Sequence, residues 1–386
     1  MTRRAEHCAT GRRGQPNLLP ILLDNMYVLF LIFALVMQAH AQPERGAVEL
    51  RRANSLRYGE ENGQRMQELD GDVYIVKDSL EINCDRALYF PDSGKLIFRE
   101  NVMFQDGERL MFANEVRYDD WTEELEAKGD IRIYQDSITI YCNRAVYRER
   151  LGNGYLYDRV RVKYDPRGVT LTGEIGYFNH RDKSAWVTRD PVLTRRDSVG
   201  IVDTKIKGDT ITYNETLGEA TSRHHVSIER DSLNAFGDLL VFYPDSLFAE
   251  LTGEPLALSG ADSISGDSMR LFFKEEELER VEVHGDAVAS SPADTLPASP
   301  RQILTGKLMT LWIEQSTLSR ALVEENATAT YYVRDKQEAE GLNTTSGDRL
   351  LISFDNHRIS RIRVEGGTEG KYTPESFVAN PAARKP

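Results

Sequence analysis

The chain is poor in the residues that most enzymes rely on. It has seven histidines and three cysteines in 386 residues, and basic residues are outnumbered, 48 against 61 acidic ones. Two of the histidines, His7 and His40, fall in the first 41 residues. His224 and His225 are adjacent, so on a strand their rings would point to opposite faces and could not share a metal. No Cys/His spacing suits a metal, and no glycine loop suits a phosphate. No cofactor is therefore expected. Gly266-Asp267-Ser268-Met269 superficially resembles a GDS-type hydrolase motif, but it lacks the strand–turn–helix setting of a nucleophile elbow. A non-enzyme is expected. The net charge of −13 excludes a nucleic-acid binder, whose affinity comes from neutralising phosphates, and an anionic-membrane binder. Helix-period apolar stripes are nearly absent.

What is present is a beat. Asp72-Val73-Tyr74-Ile75, Asn101-Val102-Met103-Phe104, Asp130-Ile131-Arg132-Ile133 and Asp158-Arg159-Val160-Arg161-Val162 repeat one phrase, with Val73, Val102, Ile131 and Val160 each 29 residues apart. Between them lie Cys84-Asp85-Arg86-Ala87-Leu88-Tyr89, Ala113-Asn114-Glu115-Val116-Arg117-Tyr118 and Cys142-Asn143-Arg144-Ala145-Val146-Tyr147. A fixed period of this length points to stacked repeats. Apolar residues alternate within each phrase, which predicts strands with one apolar face. Turn signals come in two interleaved sets: Asp78-Ser79, Asp106-Gly107, Asp136-Ser137 and Asp165-Pro166, against Pro91–Gly94, Asp119-Asp120 and Gly152–Gly154. Each unit is thus two long antiparallel arms joined by hairpin turns, and arms of this length are expected to bend or bulge midway. Val73, Ile75, Val102, Phe104, Ile131, Ile133, Val160 and Val162 form one continuous inward strip. If two walls close fully on it, the strip is a core. If they part along one edge, acyl chains can enter at about 0.8 kcal/mol per buried CH₂.

Residues 1–41 read as a secretory signal peptide: Arg3, Arg4, Arg12 and Arg13, an apolar run from Met26 to Met37, then Ala39-His40-Ala41. The rival reading is a membrane anchor over 18–37, in which Asp24 would cost about 2.5–3.5 kcal/mol at mid-membrane. Removing this segment, with its four arginines, Glu6 and Asp24, takes the charge to −15. Cys84 and Cys142 would lie two units apart, too far for a disulfide, and are expected as buried free thiols. The repeats are expected over 44–288. Residues 289–302 (ASSPADTLPASPRQ) read as a flexible loop or linker, 303–370 as continued strands with a polar loop at 335–348, and 371–386 as a disordered tail.

Ala53-Asn54-Ser55-Leu56-Arg57-Tyr58 followed by Leu69-Asp70-Gly71-Asp72-Val73 resembles the "A-D-x-x-x-Y … L-x-G-x-V" phrase of the OstA-like (organic solvent tolerance) family, and the phrase recurs at 85–102 and 143–160. That family includes the periplasmic bridge protein of lipopolysaccharide transport and the N-terminal domain of the outer-membrane translocon. The resemblance implies an all-β, repeat-built, elongated antiparallel β-jelly roll, two-walled and open on one side. It also implies a periplasmic protein that holds lipopolysaccharide acyl chains and pairs with other jelly rolls of the pathway through its edge strands, near Val48–Tyr58 and Ile359–Val364. The chain is about twice as long as the simplest bridge proteins and lacks the translocon's C-terminal barrel. A structural or adhesive β-stack with a sealed core is the alternative. Arg86, Arg144 and Arg159 are expected to partner carboxylates or to meet lipid phosphates.

Overall fold

The computed structural model describes residues 48–374, apart from turn residues 78, 136, 166–167, 180, 197–198, 215, 231–232, 244–245, 275–276, 294–299, 315–316, 336–337 and 356–357. The expected leader therefore lies outside the described residues. Among those described, the chain is strand joined by turns, with one 3-10 turn at Glu149–Leu151. Twenty-six strands make one antiparallel sheet in which each arm pairs with the arm before and after it. This is an elongated all-β jelly roll, as the family resemblance implied, built of the stacked antiparallel arms that the periodicity predicted.

Each arm folds sharply at its middle. In the strand Lys95–Asp106, Phe98 and Phe104 are six residues apart, a span of about 20 Å in a straight strand. Their rings instead meet edge to face with centroids 5.5 Å apart. The fold lies at Glu100 and Asn101, both left-handed (φ 64° and 52°). Register across this point runs Arg99↔Glu115 to Val102↔Ala113, so two residues stand opposite the single Asn114. That two-against-one count is a bulge, and it bends the strand.

The bulge recurs along the stack. Left-handed pairs occur at Gly71/Asp72, Gly129/Asp130, Asp158/Arg159 and His224/His225, among ten such pairs in the described residues besides the turn at Asn62/Gly63. Gly, Asn and Asp tolerate this conformation best, which explains why they precede each inward Val or Ile. The other half of the phrase faces the corner. Asn54 N donates to the carbonyls of Asp70 (3.2 Å) and Gly71 (2.9 Å), and Asp267 N does the same to His284 (2.8 Å) and Gly285 (3.1 Å). A Cβ at Gly129 would lie 2.5 Å from Asn114 Nδ2, so the glycine is required by contact as well as by φ. Stacked corners give two walls meeting at a spine, with hairpin tips forming a lip on each wall.

Three expectations need correction. The ends of 289–302 are strand, at 289–292 and 301–302: Glu277–Pro292 pairs with Arg301–Glu314 from Pro292↔Arg301 inward. The Ser, Ala and Pro content masked the pairing, and only 294–299 lie outside the described residues. The polar stretch 335–348 likewise lies largely in the strand Glu338–Asp355, bonded to Thr317–Asp335. The tail does not begin at 371, because Glu369–Pro374 is a strand paired with 341–346.

Candidate functional site

The inner faces of the two walls are the site. Of the eight inward residues read from the sequence, Val73, Val102, Ile131 and Val160 sit beside the spine at 1% exposure each. Ile75, Phe104 and Val162, one step toward the lip, remain buried, and Ile133 is half-buried against them. All eight contact one continuous hydrophobic cluster. On some arms exposure rises from spine to tip, from 1% at Val102 to 9% at Phe104 and from 6% at Ala87 to 38% at Tyr89 on the other wall, whereas Ile138 and Val169 stay at 1% at their arm ends. The residues beside the spine are thus buried, and half-buried apolar side chains lie at several arm ends.

Several lining residues escaped the sequence reading. Leu80, Leu96, Met111 and Leu125 are half-buried on the same inner face. They lie on return arms or at arm ends, next to turn residues. The signal for them was the same alternation, extended one step past each recognised phrase.

The outer face is polar and paired. Arg99 and Arg117 both donate to Glu115 (2.8 and 2.7 Å). Burial pushes the Glu115 carboxyl up, but these two hydrogen bonds outweigh it and hold it below its ordinary value. Arg86 lies 3.3 Å from both Glu68 and Asp70, and Arg144 lies 2.8 Å from Glu126. These are carboxylate pairs, as one of the two expectations held. Arg159 sits in a corner and donates to Asn143 Oδ1 at 3.0 Å. His224 and His225 occupy a left-handed corner rather than a flat strand. Their Nδ1 atoms go to different neighbours, Asp238 (3.3 Å) and Asp209 (3.1 Å). Ser268 of the hydrolase-like motif begins the strand Ser268–Lys274 directly after a spine corner. A concavity of about 690 Å³ lies outside the trough, lined in part by Glu324, Glu325, Asp348 and Arg349; its acidic lining does not suit acyl chains.

Cys84 and Cys142 are free and buried among the floor residues. Burial pushes both thiols up to about 12. The folded state therefore keeps these protons where the unfolded chain begins to lose them. This contribution to stability is fully present below pH ~9 and is lost as pH rises toward ~12. In the native protein at pH 8 neither thiol should react with a thiol reagent over minutes. Both should react at once in denaturant, and fast native labelling would contradict the packing.

The described residues thus form an elongated two-walled β structure with an apolar interior. Residues 45–203 match the family model described as OstA-like protein. A crystal structure of LptH, the LptA homologous periplasmic component of the conserved lipopolysaccharide transport device from Pseudomonas aeruginosa, is similar over 37% of this chain and 95% of that one, with 14% identity and a TM-score of 0.29. No curated protein sequence matches the chain. Among the described residues no helix is long and apolar enough to cross a membrane.

Proposed function

We propose that this chain is a periplasmic bridge that carries lipopolysaccharide toward the outer membrane with its acyl chains in the trough. The carrying observation is the set of half-buried apolar side chains at arm ends, Leu80, Leu96, Met111, Leu125 and Ile133, above a buried floor. The OstA-like match over 45–203 supports the same reading. The tails supply the affinity, since a chain of net charge −13 gains little from phosphorylated heads overall.

The stack also ends in edges. Val48–Arg52 and Ser55–Glu61 both pair with Gln64–Lys77, and Arg358–Glu365 and Glu369–Pro374 both pair with Glu338–Asp355. Among the described residues these strands have no partner strand on their outer sides. Such edges recruit strands from other chains, here the neighbouring jelly rolls of the pathway.

The test is photo-crosslinking in cells. A photoreactive residue at Phe104 or Ile133 should capture lipopolysaccharide, whereas one at the outward Arg132 should not. Equal capture from all three positions would favour the sealed β-stack.

A further inference from the structure

The trough is not uniform along its length. Inner-face residues near the lips are half-buried at Leu96, Met111 and Ile133, and again at Ala257, Ile264 and Leu271. Between these stretches Leu171, Leu193, Tyr213 and Phe242 are fully buried while Phe178 and Ile228 stay half-buried, so the walls are tightly packed at those four positions.

The chemistry of the inner face changes at the same place. One row of paired positions, on the same wall as Phe104, Ile133 and Val162, runs Ile138↔Tyr164↔Val169↔Arg195↔Thr204↔Arg230↔Leu233. Arg195, Thr204 and Arg230 keep the alternation of the inward Leu193, Ile206 and Ile228, so they face the trough. They are 8%, 1% and 6% exposed. A register shift between Arg195 and Arg196 lets Asp203 reach inward. Arg195 Nε donates to Asp203 Oδ1 at 3.0 Å, and its terminal nitrogen to the other oxygen.

An apolar row suddenly carrying two arginines is costly. A buried ion pair loses hydration on both members, and an apolar pair of similar volume would serve the fold as well or better. A guanidinium also presents a planar fork that matches a phosphate as well as it matches a carboxylate. We propose that Arg195, Thr204 and Arg230 form a gate that reads a phosphate monoester on an acylated lipid. Asp203 holds Arg195 while the trough is empty, and the lipid phosphate takes the place of Asp203 when acyl chains fill the stretch before Tyr164. This rests on the trough reading above, and adds to it the part of the ligand that is recognised and the place where it halts.

The test uses the full chain and three ligands: a phosphorylated lipid A, its phosphate-free analogue, and inorganic phosphate. Wild type should prefer the phosphorylated lipid by about tenfold, the scale of one charge-assisted hydrogen bond. The double variant R195M/D203L should lose that preference while binding the phosphate-free lipid unchanged. Thr204→Val and Arg195→Lys, which keep size or charge, should each reduce the preference in part and serve if the double variant folds poorly. A preference that is absent in wild type, or retained in every variant, overturns the gate and leaves the trough standing. If neither lipid binds wild type, the trough reading fails and takes the gate with it. If inorganic phosphate binds wild type and not the double variant while the lipids are not distinguished, the site belongs to free phosphate and the lipid gate is wrong.

Discussion

Arg195→Ala alone should destabilise the protein by about 3–5 kcal/mol, whereas R195M/D203L should be neutral or even stabilising. The two side chains are 10% and 12% exposed, so water screens neither well. Removing the arginine strands the Asp203 carboxylate inside a tightly packed section of the trough, beside the fully buried Leu193 and the buried Ile206. Removing both charges strands nothing and restores the apolar row that runs through Tyr164 and Val169. Because a long stack touches mainly its own neighbours, it can lose one section before the rest, and a single global midpoint could hide the effect. Amide hydrogen exchange over the strands Val192–Arg196 and Val202–Lys207 reads the section directly. Single and double variants with equal losses of protection would mean that the pair is uncoupled, and the buried bridge would then be a by-product of the bulge.

The repeat itself was legible because its physical cause is local. Asp72, Asn101, Asp130 and Asp158 precede or begin each inward phrase because a left-handed corner must follow each wall, and only a few residue types enter that region cheaply. Asn54, Asp85, Asn114 and Asn143 recur because one side chain must fill each corner, as when Asn101 Nδ2 donates to Asp85 at 2.7 Å. Alternation then fixed which residues face inward, and Cys84 and Cys142 fell on the floor as their spacing required.

What escaped was set by partners rather than by local pattern. The stretch 289–302 has few β-formers, yet its ends pair because Arg301–Glu314 returns beside Glu277–Pro292 and each supplies the other's backbone hydrogen bonds. His224-His225 reads as flat strand until the corner count is carried past the regular 29-residue section, where spacing drifts to 40 between the corners at Gly285 and Glu325. The inward Arg195 and Arg230 look like strand ends in the sequence, since Arg230 precedes Asp231-Ser232 directly and Arg195 lies two residues before Asp197-Ser198. Only the ladder through Val169 and Thr204 shows that they share a row with the apolar lining.

The floor and the lip of the trough should separate stability from binding. Ile131 is 1% exposed beside the spine, packed in the cluster with Cys142 and Ile140. Ile131→Ala removes methyl groups from a site that corners on both sides keep from collapsing, and should cost about 2–5 kcal/mol. Ile133, two residues on, is half-buried at the lip, where a charge can still reach water. Ile133→Asp should therefore cost little stability but abolish lipid capture by a crosslinker at Phe104, because an acyl chain cannot lie against a carboxylate. Ile131→Ala should show the reverse, with a lower urea midpoint and normal capture by the molecules that remain folded. If Ile133→Asp unfolds the stack while Ile131→Ala does not, the strip is sealed at the lip and its floor is not where the packing resides. If capture at Phe104 survives Ile133→Asp, the ligand does not reach Ile133.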